Sequence, residues 1–129
     1  MSSFRKVLCV GINPAKRDTP ESKNAGPSDE IRRMISSQIQ DANDAGFDLH
    51  VELLAPDEMA EKVPYVRELL EHEHCDGYIV GGGIRKEFQL TKYFEQLVNA
   101  GRETRPQARI GFNTSPGDLV ITMQRMFAK

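Results

Sequence analysis

No run of apolar residues in this chain approaches the roughly 20 that a membrane-spanning helix requires. No internal repeat or low-complexity tract is present either. The opening stretch Met1-Ser2-Ser3-Phe4-Arg5-Lys6 leads straight into a strand-like run without the layout of a secretory signal, so a cytoplasmic protein is expected. An excess of either charge is missing as well: 17 basic residues stand against 19 acidic ones in 129, a formal net of −2. A dedicated nucleic-acid-binding domain is usually distinctly basic, so neither nucleic acid nor a membrane is expected as a partner. Cysteine is limited to Cys9 and Cys75, inside or beside predicted strands, where reduced core thiols are expected rather than a disulfide.

The signatures of common catalysts are absent too. There is no G-x-S-x-G elbow and no P-loop. No arginine follows Cys9 at the spacing of a small phosphatase loop, and no acidic pair ends the first strand as in a receiver domain. His72-Glu73-His74-Cys75-Asp76 is metal-like in composition. It falls where a helix runs into the start of a strand, a place that favours histidine electrostatically, and no metal is expected there. His50 with Glu52 reads as a surface pair on an edge strand.

What the chain does contain is a fourfold alternation of strand and helix. Val7 to Ile12 is a continuous apolar run, as is Tyr78 to Val80; such runs suit central parallel strands covered on both faces. In Leu49 to Leu54 apolar residues alternate with His50 and Glu52, and Arg109 to Phe112 alternates likewise, as edge strands do. Between them, residues 14–27 read as an exposed loop with almost no apolar side chain. Ser28 is the expected cap of a helix carrying Ile31, Met34, Ile35, Ile39 and Ala42 and stopping at Gly46. Pro64 is expected in the first turn of the next helix, with Val66, Leu69 and Leu70 inward. A helical pattern from Glu87 presents Leu90, Phe94, Leu97 and Val98 and ends at Gly101. In the last helix Ser115 is the expected cap, Pro116 the first residue and Asp118 the third.

Two central and two edge strands suit the order 2-1-3-4. The expectation is one α/β domain over 1–129, a three-layer α/β/α sandwich with a four-stranded parallel sheet of flavodoxin-like or Rossmann-like type. Sheets of this kind bind ligands at the carboxyl ends of the strands, where the order reverses between the first and third. Four loops meet there. Asn13, Asn113, Thr114 and Ser115 offer polar groups; Gly81-Gly82-Gly83 offers backbone N–H groups at a helix start; Arg85, helped by Lys86 or by Lys16 and Arg17, offers charge for a phosphate or carboxylate. Asp57 and Glu87 are the nearest acid/base candidates. The same residues have plain structural uses: glycines for close packing, Asn113-Thr114-Ser115 as a capping turn, Arg85 paired with Glu87.

The stretches Asp76 to Arg85, Phe94 to Asn99 and Ala108 to Asp118 with Arg125 resemble a family of uncharacterised small α/β proteins of bacteria and fungi, to which no activity is attached. The resemblance covers the C-terminal half and implies a site at the glycine turn, without a reaction. The expected function is binding of a small anionic, phosphate- or carboxylate-bearing metabolite, with catalysis left open. The alternative is a protein-interaction module whose glycines are purely structural. No cofactor and no oligomeric state is assigned; Asn13-Pro14-Ala15 stands where a flavodoxin has a hydroxyl-rich phosphate loop.

Overall fold

A computed structural model describes residues 4–13 and 26–128, apart from the side chains of 26–28. Of the expected loop over 14–27, residues 14–25, with Lys16 and Arg17, lie outside the described residues. The strands are β1 (Arg5–Ile12), β2 (Phe47–Leu54), β3 (Gly77–Val80) and β4 (Arg109–Gly111). The helices are α1 (Gly26–Asp44), α2 (Met59–Glu73), a single turn α3 (Gly82–Arg85), α4 (Thr91–Thr104) and α5 (Leu119–Met126). All strand pairings are parallel and the order is β2-β1-β3-β4. The fold is the expected three-layer α/β/α arrangement.

The two central strands explain their own lack of alternation. Leu8 and Val10 of β1, with Tyr78 and Val80 of β3, enter the core beneath α2 and α4. Val7, Cys9 and Ile79 point the other way, into the core beneath α1 and α5. Both sides of each strand are therefore apolar, as burial on two faces demands. On β2 one side buries Phe47 and Leu49, and His50 uses the other: its Nδ1 lies 2.5 Å from Glu73 Oε2 and its Nε2 3.0 Å from Glu52 Oε1, tying β2 to the end of α2. Among the described residues no His, Cys, Asp and Glu groups are gathered for a metal ion, and His72 and His74 are exposed. No described helix is long and apolar enough to cross a membrane. Both cysteines are buried free thiols.

Several helix limits differ from the expectation. α1 begins at Gly26, so Gly26 and Pro27 are helical and Ser28 is in the first turn rather than at the cap. α2 starts at Met59 and takes Pro64 into its interior, where the ring leaves the Ala60 carbonyl without its usual N–H. No helix begins at Glu87. The chain makes the α3 turn first and a 3-10 turn over Phe88–Leu90 before α4.

Gly101 does not stop α4. It is buried three residues before the helix ends, and a Cβ there would lie 2.4 Å from Tyr78 Cδ2. Tyr78 is fully buried and donates its hydroxyl to the Leu97 carbonyl at 2.8 Å, so Gly101 is the space that admits the ring. Finally, α5 begins at Leu119, and Ser115, Pro116 and Asp118 precede it.

Candidate functional site

A cleft of about 250 Å³ opens at the carboxyl ends of β1 and β3, on the α1 and α5 side of the sheet. Cys9 and Gly11 of β1 and Val51 and Leu53 of β2 form its base, and Ile31 and Ile35 of α1 and Leu119 of α5 close over them. This accounts for the incomplete burial of α1: Ala42 enters the core, whereas Ile31 and Ile35 are half-buried in the cleft wall. Met34 and Ile39 remain exposed. The rim is polar and comes from two loops, Gly81-Gly82-Gly83 with Lys86, and Asn113-Thr114-Ser115-Pro116.

The glycine turn follows from the end of β3. Gly81 N donates to Val10 O at 2.7 Å, the last bond between the central strands. The chain then coils once, with Arg85 N on Gly81 O at 3.1 Å and Lys86 N on Gly82 O at 2.9 Å. The loop after β4 lies directly against this coil. A Cβ on Gly82 would sit 2.7 Å from the Asn113 carbonyl oxygen, so glycine is required for the two loops to touch.

Asn113 joins them. Only 6% exposed, it accepts from Gly82 N at 3.0 Å through Oδ1 and donates from Nδ2 to Ser115 O at 2.8 Å. Arg85 Nη2 donates to the Asn113 carbonyl at 3.1 Å, and Lys86 Nζ to the Thr114 carbonyl at 2.9 Å.

The amides of the second loop are occupied from within. Asp118, expected to lie in the first turn of a helix, turns back and accepts from Thr114 N at 3.1 Å and Ser115 N at 3.2 Å, and from the Thr114 hydroxyl. Burial pushes its carboxyl up. The bonds from the Thr114 hydroxyl and the Ser115 and Thr114 amides, with the charge of Arg125, outweigh that and leave it below the ordinary aspartate value. Ser115 Oγ in turn accepts from Gly117 N at 3.2 Å.

The expected site residues are therefore distributed unequally. Gly81, Gly82, Gly83, Asn113, Thr114 and Ser115 line the cleft; Asn13 and Arg85 do not. Asn13 accepts from Arg32 Nη2 at 3.0 Å through its side chain. The Arg85 guanidinium lies 5.9 Å from the Phe112 ring centroid, and Lys86 takes the place at the rim. Asp57 and Glu87 are outside the wall as well.

Among the described residues, the titratable groups lining the cleft are Cys9 and Lys86. Burial pushes the Cys9 thiol up to about 12, which keeps it protonated and unsuited to nucleophilic attack. No motif in the sequence marks Cys9, Ile31 or Ile35 as residues of a site. The i, i+4 spacing of the two isoleucines shows a common face but not that the face would line a cavity.

Comparison of the chain with models of protein families, with curated proteins and with solved structures finds no match in any of the three.

Proposed function

We propose that this protein binds a small molecule with an apolar body and an anionic head, a phosphate or a carboxylate, in the cleft between β1 and β3. The observation that carries the reading is the division of the cleft itself: an aliphatic base and roof, and a polar rim holding the ammonium of Lys86. Apolar lining supplies burial, and a few placed polar groups supply orientation, which is the usual division in small-molecule sites. Lys86 commits one of its three donors to Thr114 O and retains others for a ligand. The position is the switch point of the sheet. The resemblance of the C-terminal half to small α/β proteins of bacteria and fungi points to the same turn, and a cytoplasmic location is part of the reading. Because the described wall lacks a carboxylate or an imidazole for proton transfer, binding is favoured over acid–base catalysis.

The experiment is a thermal-shift screen of phosphate- and carboxylate-bearing compounds with apolar bodies, followed by titration calorimetry. A ligand of the native state raises the melting temperature by mass action. Lys86→Gln should then weaken the ligand by about 1.5–3 kcal/mol, the range for a charge-assisted hydrogen bond. Arg85→Gln should change affinity little. Loss on Arg85→Gln alone would move the anion to the Phe112 side, and equal affinity in all three proteins would remove the head group from this rim.

A second reading has one observation in its favour. Phe88, in the 3-10 turn after α3, is 80% exposed, an aromatic surface suited to a protein partner. It predicts that no small molecule shifts the melting temperature.

A further inference from the structure

At the opposite end of the sheet, by the amino ends of β1, β3 and β4, lies a second concavity of about 310 Å³. Its wall includes Arg5, Arg105, Arg109, Asp76, Gln107 and Phe127. The three arginines come from different elements, the start of β1, the residue after α4 and the start of β4. Two are held by main-chain carbonyls and one by an aromatic ring. Arg105 donates from Nε and Nη2 to the Cys75 carbonyl, both at 3.3 Å. Arg109 Nη1 donates to the Met126 carbonyl at 3.4 Å, and the Arg5 guanidinium stacks 4.5 Å from the Phe127 ring centroid.

Among the described residues none of the three forms an ion pair with a carboxylate. Asp76, the one acid among the described residues of the wall, turns Oδ2 to the Lys6 N–H at 3.0 Å. One arginine holding a carbonyl is ordinary structural use. Three converging on one hollow leave several guanidinium donors and a surplus of positive charge facing it.

We propose that this concavity is a second binding site, for a doubly charged oxyanion of the phosphate type. The guanidinium fork matches tetrahedral oxygens, and side chains already fixed by the main chain and by Phe127 lose little freedom when the ion arrives. The hollow is larger than a bare phosphate, so an organic substituent has room beside Gln107 and Phe127. This site lies at the other end of the sheet from the cleft and stands independently of the function proposed there.

The test is a titration with inorganic phosphate at constant ionic strength, followed by amide chemical shifts, with chloride as the comparison ion. Saturable shifts at Asp76, Arg105, Ala108 and Arg109 are expected with phosphate and not with chloride. Arg109→Gln and Arg5→Gln should each raise the dissociation constant about tenfold or more, with Arg109→Lys intermediate because it keeps charge and loses the fork. The same spectra verify that the variants are folded. Arg105 is left intact because it also anchors the Cys75 carbonyl. Shifts matched by chloride, shifts confined to Gly81-Gly82-Gly83, or wild-type affinity in both glutamine variants would overturn the proposal.

Discussion

Replacing Asn113 with alanine removes the link between the two loops that form the cleft rim, and its cost can be worked from the bonds that disappear. The Gly82 N–H loses its acceptor at 3.0 Å and the Ser115 carbonyl loses its donor at 2.8 Å. Each such bond has a net worth of about 1 kcal/mol, and a buried N–H left without a partner adds about 1–3 kcal/mol. Asn113 is 6% exposed, so water does not readily replace the amide. A loss of about 3 kcal/mol follows, and at roughly 3–5 °C per kcal/mol for a domain of this size the melting temperature should fall by roughly 10–15 °C.

Asn113→Asp separates the two bonds. One carboxyl oxygen can accept from Gly82 as before, but the other faces the Ser115 carbonyl, an acceptor. The ionised form is repelled there and the protonated form can donate. The folded state therefore raises the pKa of the introduced carboxyl above its unfolded value of about 4. The stability this recovers is present below that unfolded value and is lost as pH rises through the folded one. Asn113→Asp should come close to wild type near pH 4 and fall toward Asn113→Ala at pH 7. Urea denaturation of the three proteins at both pH values is the assay. A cost under about 1 kcal/mol for alanine, or equal costs for both variants at both pH values, would refute the link.

Three further outcomes are expected. Gly101→Ala should destabilise by about 1–2 kcal/mol in urea denaturation, because the overpacking against Tyr78 exceeds the helix-propensity gain of about 1 kcal/mol; a stabilised variant would show that the ring has room to move. Cys9, with its thiol pushed up to about 12 by burial, should resist alkylation at pH 8 in the native protein and react once the chain is unfolded. Rapid native labelling at Cys9 would contradict that environment. The Asp118 carboxyl is held below its ordinary value, so its contribution is present above the unfolded pKa and lost as pH falls through the folded one. Asp118→Asn should accordingly lower the melting temperature at pH 7, with the gap to wild type narrowing in acid; a constant gap would deny the carboxylate this role.

The candidate site shows where local reading stops. The Gly81-Gly82-Gly83 turn and the Asn113 loop are visible in the sequence, and their meeting follows from the strand order. Which cation reaches the rim does not. Arg85 and Lys86 are neighbours, and the phase of a single helical turn sends Lys86 to the cleft and Arg85 toward Phe112. Asp118 likewise has the spacing of a helix-start residue after Ser115, yet the unpaired amides of Thr114 and Ser115 claim its carboxylate and α5 begins after it.

Which strands are central and which lie at the edges was decided by the sequence alone. Unbroken apolar runs at Val7 and Tyr78 can be buried only on two faces, and the alternation at Leu49 and Arg109 leaves one face for water, so two strands had to be central and two at the edges. Helix limits and the cleft were decided by tertiary structure. Gly101 carries a local stop signal, but Tyr78, 23 positions away in the chain, needs the volume a side chain would take, and α4 continues past it. Ile31 and Ile35 follow the period of a core-facing stripe. They line a cavity because the strands beneath them present Gly11 and Leu53 near their carboxyl ends, where the two rim loops rise. Periodicity specifies which face of an element turns inward; what fills the space beyond that face depends on residues remote in sequence, and no local pattern contains them.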